Sequence, residues 1–259
     1  MAAMQSFKPC SCRIAAVALA LLSAAAVHAA EIKVLTAGAY KSVLLAVAPE
    51  FEQRSGHKLV IDNDTAGALQ KRIAAGEAFD LVVLTPGALE QLAKSGQVGA
   101  GSAQKLARVA IGVAVLNGAP RPDISSVAAF QNTLLAARAV ATIDPAAGGS
   151  SGIYLWQLFE KMGIAAQLKP KAVLVPGGLV ATRLLNGEAD LAIHQISELR
   201  AVPGTTLVGP IPAEIQNYTV YAGAVASAPR DAAAAQALLA WLASPTARAA
   251  LADKGMEAP

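Results

Sequence analysis

The sequence predicts an α/β protein with two lobes, each built on a mostly parallel sheet flanked by helices, and with two crossing segments as the hinge between them. Two series of short apolar runs alternate with helical patterns, which is typical of strand-helix-strand units. A turn cluster at Pro120, Pro122 and Asp123 separates the two series. Only 4% of the residues are aromatic, and this composition favours helices packed on sheets over a β-sandwich.

The first series consists of three strands, each followed by a helix. The predicted strands are residues 32–36, 58–61 and 81–84, and the predicted helices end at Ser55 or span residues 67–75 and 87–95. Pro49 lies inside the first helical pattern, where we expect it to kink the helix or to mark its restart. A further apolar run, residues 108–116, predicts a strand that leads into the turn cluster.

The second series predicts another set of strands and helices, followed by a return to the first lobe. The strands are residues 139–143, 172–175 and 191–194, and the helices are residues 153–162 and 179–186. Residues 218–225 are expected to cross back, and helices at 232–243 and 245–254 to complete the first lobe. We therefore expect lobe 1 to comprise residues 30–112 and 226–259, and lobe 2 to comprise residues 113–225, with the ligand cleft between them.

The first 29 residues have the features of a secretory signal peptide. Two cations, Lys8 and Arg13, precede an uncharged apolar run at residues 14–27, and the small residues around Ala29 suit signal peptidase. We expect Sec-type export, cleavage after Ala29 and a periplasmic location. The remaining chain, about 230 residues long, is expected to be soluble and to form one large or two modest domains.

Composition excludes several classes of function. Both cysteines, Cys10 and Cys12, lie in the predicted leader, so the mature chain has no thiol for disulfide or thiolate chemistry. Removing the two cations of the leader lowers the formal charge from +3 to +1, which argues against a nucleic acid partner. His57 and His194 are the only mature histidines and are far apart in the sequence, so we expect no metal site and no other cofactor.

Four turns of small residues follow predicted strands and precede helical patterns. They are Thr36-Ala37-Gly38-Ala39, Asp64-Thr65-Ala66-Gly67, Gly148-Gly149-Ser150-Ser151-Gly152 and Pro176-Gly177-Gly178. In open α/β sheets such turns lie at the carboxyl ends of the strands, where ligands bind. Free N–H groups and helix dipoles favour negative charge there, so the four turns together predict a cleft for a small anion.

These turns resemble those of the molybdate-binding branch of type II periplasmic substrate-binding proteins. The matching stretches are residues 34–39, 69–76, 79–81, 151–154 and 191–198. The resemblance implies an oxyanion held by backbone amides, by serine hydroxyls at the first two turns and by a tyrosine near the end of the later strand. Ala39 and Ala66 stand in place of the serines and Gln195 in place of the tyrosine, so a larger carboxylate is favoured over molybdate.

Four segments resemble a distinct branch, the periplasmic aconitate isomerases. The segments are Leu35-Thr36-Ala37-Gly38-Ala39, Asn63-Asp64-Thr65-Ala66-Gly67-Ala68-Leu69, Asp144-Pro145-Ala146-Ala147-Gly148-Gly149-Ser150-Ser151-Gly152-Ile153-Tyr154 and His194-Gln195-Ile196-Ser197-Glu198. The resemblance implies interconversion of trans- and cis-aconitate. An allylic proton shift suffices for this reaction and needs one base and several fixed hydrogen-bond donors.

Three side chains are candidates for the chemistry. His194 comes first because its ordinary pKa is nearest neutrality and because it ends a predicted strand at the cleft. Glu198 is a competing base, and Lys41 is expected to screen a substrate carboxylate. Asp64 is preferred as a helix N-cap, and His194 also fits a purely structural role. The residues expected to contact the ligand are Ala39, Tyr40, Thr65, Ala66, Ser150, Ser151, Gly177 and Gln195.

A function of a different class stays open beside the isomerase. The chain also fits a non-catalytic receptor that delivers molybdate or an organic carboxylate, a tricarboxylate included, to the permease of an ABC transporter, which is the commoner role of this fold. An isomerase needs a titratable base beside the ligand and rapid product release, whereas a receptor needs tight binding and slow release. The four matching segments favour the isomerase, and so does the replacement of the oxyanion-binding serines and tyrosine by Ala39, Ala66 and Gln195.

Overall fold

The computed structural model describes residues 29–259, so the predicted signal peptide lies outside the described residues except for Ala29. Ten strands are described. They are β1 (Glu31–Ala37), β2 (Lys58–Asp64), β3 (Leu81–Leu84), β4 (Gln104–Val109), β5 (Ile111–Leu116), β6 (Val140–Ile143), β7 (Ala172–Val175), β8 (Leu191–Gln195), β9 (Thr205–Pro210) and β10 (Thr219–Val225).

Ten α-helices cover the sheets. They are α1 (Gly38–Ser55), α2 (Ala66–Ala74), α3 (Pro86–Lys94), α4 (Val127–Ala136), α5 (Ser150–Lys161), α6 (Ala165–Leu168), α7 (Thr182–Leu185), α8 (Ile196–Arg200), α9 (Ala232–Leu242) and α10 (Pro245–Ala249). Within residues 29–259, no helix combines the length and the apolar character needed to cross a bilayer.

The strands form two five-stranded sheets with the same plan. The strand order is β2-β1-β3-β10-β4 in the first sheet and β7-β6-β8-β5-β9 in the second. In each sheet four strands run in one direction, and the fourth strand in the order, β10 or β5, runs antiparallel to both neighbours. The prediction of an α/β protein with two mostly parallel sheets is therefore confirmed.

The chain crosses between the two sheets at different positions from those that the sequence indicates. The apolar run at residues 108–116 is not one strand: it divides at Ala110, so that β4 lies in the first sheet and β5 in the second. The crossing is thus at Ala110 and not at the turn cluster near Pro120. The chain is buried without a break from Val109 to Val115, so hydrophobicity gives no sign of the change of sheet at Ala110. Strand β10 likewise lies wholly in the first sheet, so residues 219–225 do not belong with lobe 2 and the return crossing precedes Thr219.

Several elements differ from the sequence prediction. Helix α1 runs through Pro49 without a restart. Pro49 and Leu45, whose carbonyl loses its helical partner there, are both exposed, so water can satisfy the freed carbonyl. Helix α7 is shorter than the predicted residues 179–186. The sequence patterns do not predict α4, α6, α8 or β9.

The side chain of Gln216 joins the two crossing segments of the hinge. Its Oε1 accepts the N–H of Ile111 at 2.9 Å, and its Nε2 donates to the carbonyl oxygens of Ile111 at 2.9 Å and Ile211 at 3.2 Å. The N–H of Ile211 also donates to the Ile111 carbonyl at 3.1 Å. One amide therefore extends the hydrogen-bond pattern of a strand pair into the hinge.

The buried carboxylate of Asp80 holds three segments of the first lobe together. It accepts the N–H of Lys33 in β1 and the N–H of Arg230 before α9, both at 2.7 Å, and the Arg230 guanidinium at 2.8 Å. Burial acts to raise the pKa of Asp80, but the hydrogen bonds from Arg230 and Lys33 outweigh it and hold the pKa below its ordinary value. The ionised carboxylate is therefore part of the native structure.

Replacing this carboxylate with an amide is expected to destabilise the fold. Asp80→Asn removes the charge and one of the acceptor oxygens, so we expect the free energy of unfolding to fall by about 2–3 kcal/mol in urea denaturation. The control is Glu90→Gln, which breaks an exposed ion pair with Lys94 on α3 and should lower it by less than about 0.5 kcal/mol. Equal effects of the two substitutions would contradict this assignment.

Candidate functional site

A small cleft lies where the carboxyl ends of strands from both sheets face each other. Four strand-to-helix junctions meet there: β1 to α1, β2 to α2, β6 to α5 and β8 to α8. The lining residues are Ala37, Gly38, Asn63, Asp64, Thr65, Ala66, Ile143, Gly149, Ser150, Ser151, Gly178, His194, Gln195, Glu198 and Tyr221. The helix N-termini turn backbone N–H groups and positive dipole ends toward the cleft, which favours an anion.

The four junctions differ in one respect from the four predicted turns. Gly178 of the predicted turn at residues 176–178 lines the cleft, but α7 begins only at Thr182. The fourth helix N-terminus is that of α8, which begins directly after Gln195. The predicted strand ending at His194 therefore runs one residue further, so that both His194 and Gln195 reach the cleft.

The two lobes meet through backbone at one edge of the cleft. The N–H of Gly67 donates to the carbonyl oxygen of Gly148 at 3.2 Å. A Cβ on Gly67 would lie 2.8 Å from the Cα of Gly148, so neither position has room for a side chain. Thr65 reinforces the contact, since its hydroxyl donates to the Ala147 carbonyl at 2.5 Å and accepts the Ala68 N–H at 3.1 Å.

Thr65 is accordingly the N-cap of α2, and the preference for Asp64 as the cap was wrong. The Asp64 carboxylate instead accepts the N–H of Thr65 at 2.8 Å and lies 3.7 Å from the guanidinium of Arg72. Both residues are short acceptors at adjacent positions, and only the backbone geometry decides which of them caps the helix.

Gln195 is the centre of a hydrogen-bond network that spans the cleft. Its side-chain nitrogen lies 2.9 Å from the Ser150 hydroxyl, 2.8 Å from the Tyr221 hydroxyl and 3.2 Å from the Thr219 hydroxyl. Burial raises the pKa of Tyr221, so its hydroxyl stays protonated and can donate to an anion. The cleft thus does contain a tyrosine hydroxyl, but it comes from β10 and not from the end of β8.

Glu198 and His194 form a buried pair beside these donors. His194 is 3% exposed and Glu198 is 8% exposed, and Oε2 of Glu198 lies 3.1 Å from Nδ1 of His194. Burial raises the pKa of Glu198 to about 8 and holds the pKa of His194 well below its ordinary value. At neutral pH the pair therefore holds one proton, on the carboxyl group, and carries no net charge.

The hydrogen bonds of His194 fix its tautomer. Nδ1 accepts the N–H of Gln195 at 2.7 Å, so the proton of the neutral ring is on Nε2. This Nε2 is buried without a hydrogen-bond partner among residues 29–259. A free ring donor of this kind is available to a ligand in the cleft.

Gly38 makes room for the Glu198 carboxyl group. A Cβ at this position would lie 2.5 Å from Oε1 of Glu198. The glycine thus lets the first turn of α1 approach a carboxyl group that is contributed by the other lobe. The α1 N-terminus and Glu198 consequently face the same ligand volume.

The structure brings together some of the predicted site residues and separates others. His194, Glu198, Gln195, Thr65, Ala66, Ser150 and Ser151 line the cleft. The side chains of Ala39 and Tyr40 are instead buried in the core of the first lobe, with Tyr40 fully inaccessible. Lys41 lines a neighbouring depression, and Gly177 lies behind Gly178, near Asp64.

Sequence reasoning missed Asn63, Thr219 and Tyr221. Thr219 and Tyr221 lie two residues apart on β10, so the alternation of a strand places them on one face. The alternation is visible in the sequence, but the prediction assigns residues 218–225 only to a crossing segment. Asn63 is the last residue but one of β2, beside the predicted turn, and no sequence pattern distinguishes it.

The lining of the cleft contains no lysine or arginine, and its two acidic residues are Asp64 and Glu198. Among residues 29–259, no group of three or more His, Cys, Asp or Glu side chains is placed to hold a metal ion. The donors that face the cleft are backbone N–H groups, hydroxyls, amides and the His194 ring. Such a site can hold carboxylates by hydrogen bonds and contains one pair that can move a proton.

Comparisons with known proteins agree with the fold and with the expected branch. A protein named aconitate isomerase from a Pseudomonas species is 40% identical over 230 residues, which cover 86% of each chain. The periplasmic molybdate-binding protein of Azotobacter vinelandii superposes with a TM-score of 0.74 at 20% identity, over 88% of this chain and 99% of that chain. The sulfate-binding protein of Mycobacterium tuberculosis H37Rv gives 0.70 at 18% identity, over 88% and 87%.

The two structural relatives are too distant in sequence to show more than the shared fold, and they confirm the expected two-lobed architecture. The sequence profile of the bacterial extracellular solute-binding proteins matches residues 32–257, which is nearly all of the described chain. This protein therefore belongs to the bacterial extracellular solute-binding protein family.

Proposed function

We propose that this protein is an aconitate isomerase that interconverts trans- and cis-aconitate on a solute-binding scaffold. The observation that carries the proposal is the 40% identity to the Pseudomonas aconitate isomerase over 86% of both chains. The cleft supports it independently, because it combines donors for carboxylates with a buried pair that can move a proton.

The carboxylates of the substrate are held by dipoles and hydroxyls in this proposal. The N-termini of α1, α2 and α5 supply backbone N–H groups, and Ser150 and Tyr221 supply hydroxyl donors that the Gln195 amide holds in place. These groups are fixed before the ligand binds, so they can also stabilise the negative charge that spreads onto a carboxylate when a neighbouring C–H bond breaks.

The reaction moves one proton and one double bond. A C–H bond of the allylic methylene breaks, its electron pair forms the new C=C bond, and the former double bond takes a proton at its other carbon. Glu198 is the residue that transfers the proton. It becomes a base when its own proton passes to Nδ1 of His194 over 3.1 Å, a step in which the N–H of Gln195 gives up its hydrogen bond to that nitrogen. Glu198 then returns the abstracted proton to the second carbon.

His194 acts through Glu198 in this scheme. It takes up the carboxyl proton without a net change of charge in the pair, and so it makes a base from a group that rests in its acid form. The order of the two candidates from the sequence is therefore reversed in this proposal. Glu198 faces the reacting carbon, and His194 positions the Glu198 carboxyl group and takes up its proton. The scheme requires no metal or cofactor.

The location and the transport alternative belong to the same proposal. We infer export to the periplasm by the signal peptide at residues 1–29, consistent with membership of an extracellular solute-binding family. A receptor that hands an anion to an ABC permease is the second candidate, and the molybdate- and sulfate-binding proteins of the same fold favour it.

Turnover separates the two candidates. Purified protein without the leader is incubated with trans-aconitate, and cis-aconitate is followed by chromatography, while thermal shifts with molybdate and citrate are recorded in parallel. We expect protein-dependent formation of cis-aconitate. Stabilisation by one anion without any turnover would instead identify a transport receptor.

Substitution of the buried pair tests the mechanism. Glu198→Gln keeps the shape of the side chain but cannot take a proton, so kcat should fall at least about 100-fold. Binding of the unreactive analogue propane-1,2,3-tricarboxylate should change by less than about threefold in calorimetry, since Gln still fits the site. His194→Ala should also remove most of the turnover.

The matched control is Glu214→Gln, an exposed acid of the second lobe that should leave kcat unchanged. A Glu198→Gln variant with wild-type kcat would remove Glu198 from the proton transfer.

The same pair predicts how stability depends on pH. The raised pKa of Glu198, from 4.5 to about 8, gives stability that is lost as pH rises between these values. The lowered pKa of His194 gives stability that is lost as pH falls below 6.5. Between about 4.5 and 6.5 the folded and unfolded pairs each hold one proton, so the two effects cancel.

Above pH 6.5 only the Glu198 effect remains, and the free energy of unfolding should fall by about 2 kcal/mol up to pH 8. Urea denaturation of the wild type and of Glu198→Gln at pH 5.5, 6.5, 7.5 and 8.5, roughly one-unit steps across this window, measures the difference. Relative to the wild type, the variant should gain stability with each step to about pH 8. A difference that does not vary with pH would show that Glu198 is ionised in the folded protein.

A further inference from the structure

A second depression adjoins the cleft on the other side of the Glu198 carboxyl group. Gly38, Asn63, Gly178 and Glu198 line both spaces, so the two are in contact at these residues. The second space, here called the side depression, extends between helices α1 and α8, which belong to different lobes. A ligand that reaches past Glu198 would therefore enter it.

Lys41 is the cation of the side depression, and its position is unfavourable for the unliganded fold. It lies in the first turn of α1, where a positive charge opposes the helix dipole. Among residues 29–259, no carboxylate lies within ion-pair distance of its ammonium group, whereas most other charged groups of the first lobe are paired. An unpaired cation at this point suits a negative charge supplied from outside the chain.

Two hydroxyls in the same depression also have no partner. The Oγ atoms of Ser42 and Ser197 are buried without a hydrogen bond to any described residue, and Ser197 is only 1% exposed. Burying a hydroxyl without a partner costs free energy, so such groups are usually satisfied by a ligand or by water. Together with Lys41 they form a set of donors with no acceptor.

The charge of the main cleft explains why a further subsite is needed. Its lining has no lysine or arginine, yet the substrate proposed above carries three carboxylates. Hydrogen bonds from dipoles hold one or two of them, but the last carboxylate has no cation there. The side depression offers that cation at the border of the same space.

We propose that the side depression is the subsite for one carboxylate of a tricarboxylate, with Lys41 as the residue that distinguishes tricarboxylates from dicarboxylates and with Ser42 and Ser197 as hydroxyl donors. The proposal rests on the proposed function for the identity of the substrate. Lys41 binds and does not transfer a proton, which separates its role from that of Glu198.

Binding of two unreactive probes tests this subsite. Propane-1,2,3-tricarboxylate carries three carboxylates, and glutarate has the same chain without the central one. We expect the wild-type protein to bind the tricarboxylate at least about tenfold more tightly than glutarate in calorimetry at fixed pH and ionic strength. In Lys41→Met this ratio should fall to within about threefold of unity, mainly through weaker tricarboxylate binding.

Lys71→Met is the matched control, because Lys71 is an exposed helical lysine of the same lobe that does not line either space. It should leave the ratio of the two dissociation constants unchanged. An unchanged ratio in Lys41→Met would overturn the proposal, even if both affinities fell together.

Ser197→Ala gives a second test, in which stability is expected to rise while tricarboxylate binding becomes weaker. Removal of an unpartnered buried hydroxyl should raise the Tm of the unliganded protein, while tricarboxylate binding should weaken by about fivefold. A lower Tm with unchanged binding would show that the hydroxyl serves the fold and would contradict the subsite.

The outcomes for the subsite and for the isomerase are separate. Absence of turnover together with a ratio that depends on Lys41 would reject the isomerase and keep the tricarboxylate subsite. Turnover together with a ratio that does not depend on Lys41 would keep the isomerase and reject the subsite.

Discussion

The backbone of Gly67 in the first lobe lies against that of Gly148 in the second, and the width of the cleft depends on this contact. The N–H of Gly67 donates to the carbonyl of Gly148, and any side chain at either position would hold the lobes apart. Because the lobes approach this closely, Gln195 of one lobe reaches Tyr221 of the other. Glu198 comes to lie over Gly38 for the same reason. The groups of the cleft are therefore brought together by the close approach of the two lobes.

The cleft is suited to an anion although its lining contains no lysine or arginine. The buried pair of Glu198 and His194 shares one proton and stays neutral, so it does not repel an incoming anion. Helix N-termini and hydroxyls supply the attraction, and they lose little on binding because they are already ordered.

The sequence was sufficient for the architecture and for part of the site. Alternating strands and helices gave the two lobes, and the small-residue turns marked three of the four junctions that line the cleft. The sequence was insufficient where one hydrophobic pattern is compatible with two different arrangements of strands. The run that divides at Ala110 is buried continuously from Val109 to Val115, and only strand pairing reveals the change of sheet.

The limits within the site have a similar cause. The carboxyl group of Glu198 and the ring of His194 lie four positions apart across a strand-to-helix junction, and their proximity depends on the sharp start of α8. Tyr221 reaches Gln195 from β10, far along the chain. The sequence predicts Tyr40 in the cleft, but in the structure Tyr40 lies on the side of α1 that faces the core of the first lobe. A turn of small residues does not indicate which side of the following helix is buried.

The amide of Gln216 has a consequence for how the lobes move. Its three hydrogen bonds to Ile111 and Ile211 keep the two crossing segments in register, so neither can slide along the other without breaking them. These bonds tie the segment that leaves the first lobe to the segment that returns to it. Any change in the angle between the lobes must therefore move both crossing segments together.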